Sequence, residues 1–191
     1  MRAPWTEHRL GLMLIAAGAL ALVLGSALAL RPAVAQTGCS FEWFFDARTP
    51  AACPSGPAAS TEIVMLEFER GTMYWISTER MIYILYRDWQ APYWEAYRDT
   101  WQPGTIERDT SIVGPLGLWQ QPRRGFGQVW RENPQVRERL GWALYEWETV
   151  YTTLFQRADP TDGPIYFTDQ RDKAFQLPAG GDGWDKFSWL G

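Results

Sequence analysis

The chain has 191 residues, with 18 Lys and Arg, 22 Asp and Glu and one histidine, for a formal net charge of −4. That acidic balance lacks the basic footprint that nucleic-acid phosphates require. The one histidine, His8, lies at the extreme N-terminus, so the remainder has no Ser-His-Asp or Cys-His nucleophile, no histidine general base and no histidine-bearing metal site.

Arg2, His8 and Arg9 precede an uncharged run of 21 residues, Leu10 to Leu30. The following "RPAVAQ" carries Ala33 and Ala35 in the small-x-small pattern of a signal-peptidase site. Cleavage there removes three Arg and one Glu, leaving 156 residues from Gln36 with 15 basic and 21 acidic side chains, a net charge of −6. The run is also long enough to span a bilayer as a helix. Residues 1–35 therefore read as a signal peptide or a signal anchor, and either form exports the rest. Gln36 stands where a lipoprotein box needs an aliphatic residue, so Cys39 is not read as lipidated.

Residues 36–60 read as an irregular entry segment and linker, docked by Phe41, Trp43, Phe44 and Phe45. Its two cysteines, Cys39 and Cys53, are the only ones in the chain, and in an oxidising compartment they are expected to pair. Two cysteines without histidine make a poor zinc site.

Residues 61–177 read as a β-rich domain. "IVMLEFE" from Ile63 ends at a turn at Arg70-Gly71, and "TMYWIS" and "MIYILY" alternate with period two. Met73 and Trp75 share one face and Tyr74 and Ile76 the other; Ile82, Ile84 and Tyr86 oppose Tyr83 and Leu85. Both faces are bulky, which predicts a sheet covered on both sides. Residues 63–86 thus form a three-stranded antiparallel meander, with "WEAYRDTW" as an edge element. Residues 102–124, rich in Pro and Gly, are a long loop.

Phe126, Val129 and Trp130 follow the spacing of one helical face. A second short helix is predicted after Asn133 as its cap, with Pro134 at its first position, Val136 and Leu140 buried and Gly141 past its end. "VYTTLFQR" (Val150–Arg157) then parallels "IVMLEFER" (Ile63–Arg70), and "GPIYF" parallels "RMIYIL", an internal repeat. The fold class is α+β, mainly β: two antiparallel hairpin or meander units flanking a pair of short helices. Residues 178–191 read as a loosely attached tail pinned by Trp184, Phe187 and Trp189.

The exported portion holds 28 Trp, Tyr and Phe, rings that serve either core packing or stacking on sugars. Trp75, Tyr83, Phe155 and Tyr166 are expected in the core. Tyr74, Trp89, Tyr93, Trp94 and Trp101 are expected on an exposed strip, with Arg123 and Arg124 as donors to acidic groups. Glu67 and Glu69, two apart on one strand, point the same way as an acid/base pair would, and a solvated strand face explains them better. Asp159, Asp162, Asp182 and Asp185 read as Asp-Gly turns rather than a calcium loop. The only lysines, Lys173 and Lys186, fall in a polar C-terminal stretch with nothing to activate a nucleophile.

"RLGWALYEWETVYTTLFQRADPTDGPIYF" resembles the LGFP repeat of exported bacterial envelope proteins. Leu140, Gly141, Trp142 and Ala143 stand in its first four places, and Glu146, Phe155, Ile165 and Tyr166 in the later ones. Residues 60–170 also look like a group of exported proteins common in filamentous green non-sulfur bacteria, a likeness that brings no activity with it. The LGFP resemblance implies cell-wall anchoring or polysaccharide contact and carries over no catalytic residue. The expected function is a non-catalytic extracytoplasmic module, free of cofactor and metal, that binds cell-envelope polysaccharide or a surface protein. The alternatives are a carboxylate-dependent glycoside hydrolase and a structural or assembly subunit of the envelope. No nucleic-acid partner is expected, and membrane contact only through an uncleaved N-terminal segment.

Overall fold

Alternating apolar side chains favour strands, and the described residues form eight of them. The computed structural model describes residues 38–115, 120–159, 162–171 and 173–189. The expected export segment lies outside the described residues. Four strands come first: β1 (Ala59–Phe68), β2 (Gly71–Ile76), β3 (Met81–Tyr86) and β4 (Trp94–Arg98). Two short helices follow, α1 (Arg124–Glu132) and α2 (Pro134–Leu140). The last four strands are β5 (Thr149–Arg157), β6 (Ile165–Thr168), β7 (Lys173–Leu177) and β8 (Asp185–Ser188). Among the described residues no helix is long and apolar enough to cross a membrane.

All eight strands join one antiparallel sheet in the order β4-β3-β2-β1-β5-β6-β7-β8. The chain is therefore mainly β with two short helices. The two sets of four strands meet at the centre, where Ile63 faces Tyr151 and Val64 faces Val150. The "IYF" strand β6 lies beside β5 and so holds the place of β2, not that of the "IYI" strand β3 with which its sequence aligns.

The alternation in β2 and β3 divides as their sequences require. Met73, Ile82, Ile84 and Tyr86 face the helices, together with Leu66 and Phe68 of β1. Phe126, Val129 and Trp130 of α1 and Val136 and Leu140 of α2 cover them. Tyr74, Ile76, Tyr83 and Leu85 face the other way, into a second core shared with Phe155, Ile165, Phe167, Phe175 and Leu177. Tyr74 of β2 packs 5.3 Å, centroid to centroid, from both Phe167 of β6 and Phe175 of β7, although two strands intervene in the first case and three in the second. Only a curled sheet permits that contact. The edge of the curl is sewn by polar groups: Tyr93 N–H donates to the Gly181 carbonyl, Trp94 Nε1 to that of Pro178 and Trp184 Nε1 to that of Tyr86.

The entry segment covers the outer face of β6, β7 and β8, where Phe45 packs on Tyr166, Ala174 and Phe187. The Cys39–Cys53 disulfide closes this segment. Gln156, only 2% exposed, fastens it to β5: its Oε1 accepts from Phe44 N–H, and its Nε2 donates to the carbonyls of Glu42 and Gly56.

Two sequence expectations change. Asn133 stands at the start of α2, but its side chain does not cap it; its Nδ2 donates to the Val129 carbonyl and so closes α1. The last carbonyls of α1 need donors, and the Asn133 amide supplies one. The tail is not a loose extension, because residues 185–188 form β8, paired with β7 from Lys173–Ser188 to Gln176–Asp185.

Candidate functional site

At the end of α2, Gly141 adopts φ 76° and ψ −150°, a region open essentially to glycine. A Cβ there would meet Glu69 Oε2 at 2.2 Å. This corner throws the chain back across the helix face: Trp130 Nε1 donates to the Gly141 carbonyl, the Trp142 N–H donates to Glu69, and Ala143 bridges to Phe68 and Gln120. The loop leaving the corner carries Tyr145 and Trp147, 59% and 63% exposed. Glu69 lies past the end of β1 and accepts from the Trp142 N–H, so it holds the corner rather than sharing a solvated strand face with Glu67.

Three grooves among the described residues are candidates, and size does not decide between them. One, about 1,020 Å³, lies between α2 and the β3–β4 connection. Its two arginines, Asp88 and Glu95 are already paired. Arg139 forks onto Asp88 and reaches the Gln90 and Pro92 carbonyls, Arg70 bonds the Arg139 and Glu138 carbonyls, and Tyr86 donates to Glu95. The Arg139 hydrogen bonds hold the Asp88 carboxyl below its ordinary range, and burial, helped by the Glu95 bond, pushes the Tyr86 phenol far up. In the second groove, about 810 Å³, Arg131 is spent on the Ile106 and Glu107 carbonyls.

The third groove, about 270 Å³, differs. It runs along Glu62 and Val64 of β1, Trp75 and Ile82, past Asp99 and Trp101, to the start of α1 at Arg123–Phe126, with Glu148 at its border. Six buried side-chain nitrogens and oxygens among the described residues lack a hydrogen-bond partner, and three of them belong to residues of this groove: Trp75 Nε1, Trp101 Nε1 and Arg123 Nε. A buried donor without an acceptor costs about 1–3 kcal/mol, so three gathered at one place call for an explanation. Arg123 stands 3.6 Å from Glu107, within ion-pair reach but not bonded through Nε, and its guanidinium lies 5.0 Å from the centroid of the exposed Trp147 ring. Arg124 adopts φ +50°, rare for an L-residue. Gly125 lets Asp99 approach, since a Cβ there would meet Asp99 Oδ1 at 2.5 Å.

Of the residues the sequence nominates, Trp101, Arg123 and Arg124 come together in this groove. Tyr74 does not belong to an exposed strip: it is 6% exposed inside the curl, and desolvation there raises its phenol well above the usual range. Tyr93 and Trp94 are half-buried at the sheet edge, where Trp94 packs toward Tyr83. Trp89 is 88% exposed, with φ +60°, on the β3–β4 connection and outside the groove. The sequence reading missed Trp75, assigned to the core but only half-buried, and Glu62, Trp147 and Glu148. The alternation of β2 does place Trp75 on the helix face, but no local pattern marks where α1 stops covering that face.

No protein-family model, no curated protein and no solved structure matches the chain.

Proposed function

We propose that this is an exported, non-catalytic module that binds cell-envelope polysaccharide through the groove at the start of α1. The observation that carries the proposal is the convergence there of three unpartnered N–H donors, on Trp75, Trp101 and Arg123, beside the exposed ring of Trp147. Sugar recognition needs that combination, a flat ring for the apolar face of a pyranose and fixed polar groups for its hydroxyls. The groove's 270 Å³ falls just below the ~300–1,000 Å³ of sites for drug-sized ligands, and a single sugar ring fits it. The Cys39–Cys53 disulfide and the apolar run 10–30 support export.

The likeness to LGFP repeats is part of the same proposal. The Leu140–Ala143 corner, through the left-handed Gly141, delivers the loop bearing Trp147 and Glu148 to the groove. Of the internal repeat, only the meeting of its two first strands, β1 and β5, at the centre of the sheet supports the reading; the place of β6 does not.

The test is retention of the full chain on the producing cell's own wall fraction. The proposal expects retention that survives moderate salt and is competed by a purified wall polysaccharide. Absence of retention at every salt concentration overturns it.

A further inference from the structure

Resting on the polysaccharide reading above, the groove's inventory of charges and hydrogen-bonding groups discriminates among sugars. The donors without partners are Trp75 Nε1, Trp101 Nε1 and Arg123 Nε. The carboxylates along the same groove are Glu62, Asp99 and Glu148. Asp99 Oδ1 accepts from the Trp101 backbone N–H at 3.1 Å. The side chains of Glu62, Glu148 and Arg124 have no hydrogen-bond or ion-pair partner among the described residues. Residues that carry unspent donors and residues that carry unspent acceptors therefore border one small space, with three carboxylates against two guanidinium groups.

A carboxylate on the ligand supplies acceptors only and meets more negative than positive side chains. An ammonium supplies donors only; it leaves the three N–H groups unpaired and lies beside Arg123 and Arg124. A hydroxyl supplies one donor and two acceptor lone pairs. It alone answers an orphan N–H and an unpaired carboxylate at once. Trp147 adds the apolar surface, one face of its ring being turned to the Arg123 guanidinium.

We infer that the unit this groove takes is a neutral, hydroxyl-rich pyranose of the envelope polysaccharide, in preference to a uronic acid or an amino sugar. The rest of the polymer then runs over the exposed rim at Tyr145 and Trp147. Because the three donor atoms are shielded from solvent, reaching them takes a side-chain movement in the groove wall, and the indole N–H groups report that movement directly.

The experiment is a ¹H–¹⁵N titration of the full chain in a non-glycosidic detergent, following the indole Nε1–H resonances assigned with Trp75→Phe and Trp101→Phe variants. The probes are the methyl glycosides of glucose, galactose and mannose, together with glucuronate and glucosamine. The expected result is saturable shifts of the Trp75 and Trp101 signals by at least one neutral glycoside. It should bind about fivefold or more tightly than either charged sugar, the equivalent of roughly one hydrogen bond. Glu148→Gln should weaken it by a similar factor, with the remaining resonances unmoved. Preferential binding of glucuronate or glucosamine overturns the inference while leaving the polysaccharide reading in place. No shift from any probe also overturns it, and the wall-retention experiment then decides the parent reading separately.

Discussion

Replacing Gln156 by methionine keeps the length and nearly the volume of a side chain that is 2% exposed and removes its polar end. Three hydrogen bonds vanish together, from Phe44 N–H at 3.0 Å and to the carbonyls of Glu42 at 2.8 Å and Gly56 at 2.9 Å. Each is part-buried, so each released group regains water incompletely, and the net loss is about 1 kcal/mol per bond, or roughly 3 kcal/mol. For a domain of this size 1 kcal/mol moves Tm by about 2–4 °C, giving a fall of roughly 6–12 °C. Thermal unfolding of the full chain followed by near-ultraviolet circular dichroism measures it. The loss begins at the entry segment, so tryptic cleavage after the exposed Arg48 should accelerate before global unfolding. A Tm within about 2 °C of wild type, with unchanged cleavage, refutes the assignment of Gln156 as the fastener of that segment.

Gly141→Ala places an alanine at φ 76° and is expected to cost about 1–3 kcal/mol in urea unfolding. Removing the Glu69 side chain as well should not restore stability, because the backbone and not the 2.2 Å approach sets the cost; full rescue by Glu69→Ala contradicts this. Asp88 is held below its ordinary 3.8 by the Arg139 hydrogen bonds. Its stabilising contribution is therefore complete above that value and is lost as pH falls through the lower folded pKa. Urea midpoints from about pH 5 down to about pH 2 should fall less steeply in Arg139→Gln than in wild type; parallel profiles refute the linkage.

Period-two alternation was enough to assign Met73 and Trp75 to one face of β2 and Tyr74 and Ile76 to the other, because side-chain direction along a strand is a local property. Which face is buried is not local. Tyr74 is covered by Phe167 and Phe175, 93 and 101 positions downstream, through a curl of the sheet that no single strand announces. The same reason hides Trp75, whose exposure depends on where α1 ends its cover. The helical spacing of Phe126, Val129 and Trp130 survives intact in α1. β8 escaped notice because "DKFS" turns one ring, Phe187, inward and leaves charge on the other side. Of the groove, Trp101, Arg123 and Arg124 were legible as aromatic and cationic candidates. Trp147 and Glu148 lie in a loop whose path is set by one glycine's left-handed turn, a conformation the sequence permits without specifying what it will face.

The central claim, that the groove and its exposed ring hold the ligand, is tested most directly by binding of solubilised wall polysaccharide to Trp147→Ala and Trp89→Ala side by side. Both substitutions remove a largely exposed tryptophan, 63% and 88% accessible, and only the first stands at the groove. The account predicts that Trp147→Ala weakens binding by about tenfold or more, roughly 1.4 kcal/mol, with Tm unchanged, while Trp89→Ala binds as wild type. Loss of binding in Trp89→Ala with Trp147→Ala unaffected, or equal affinity in all three proteins, contradicts it.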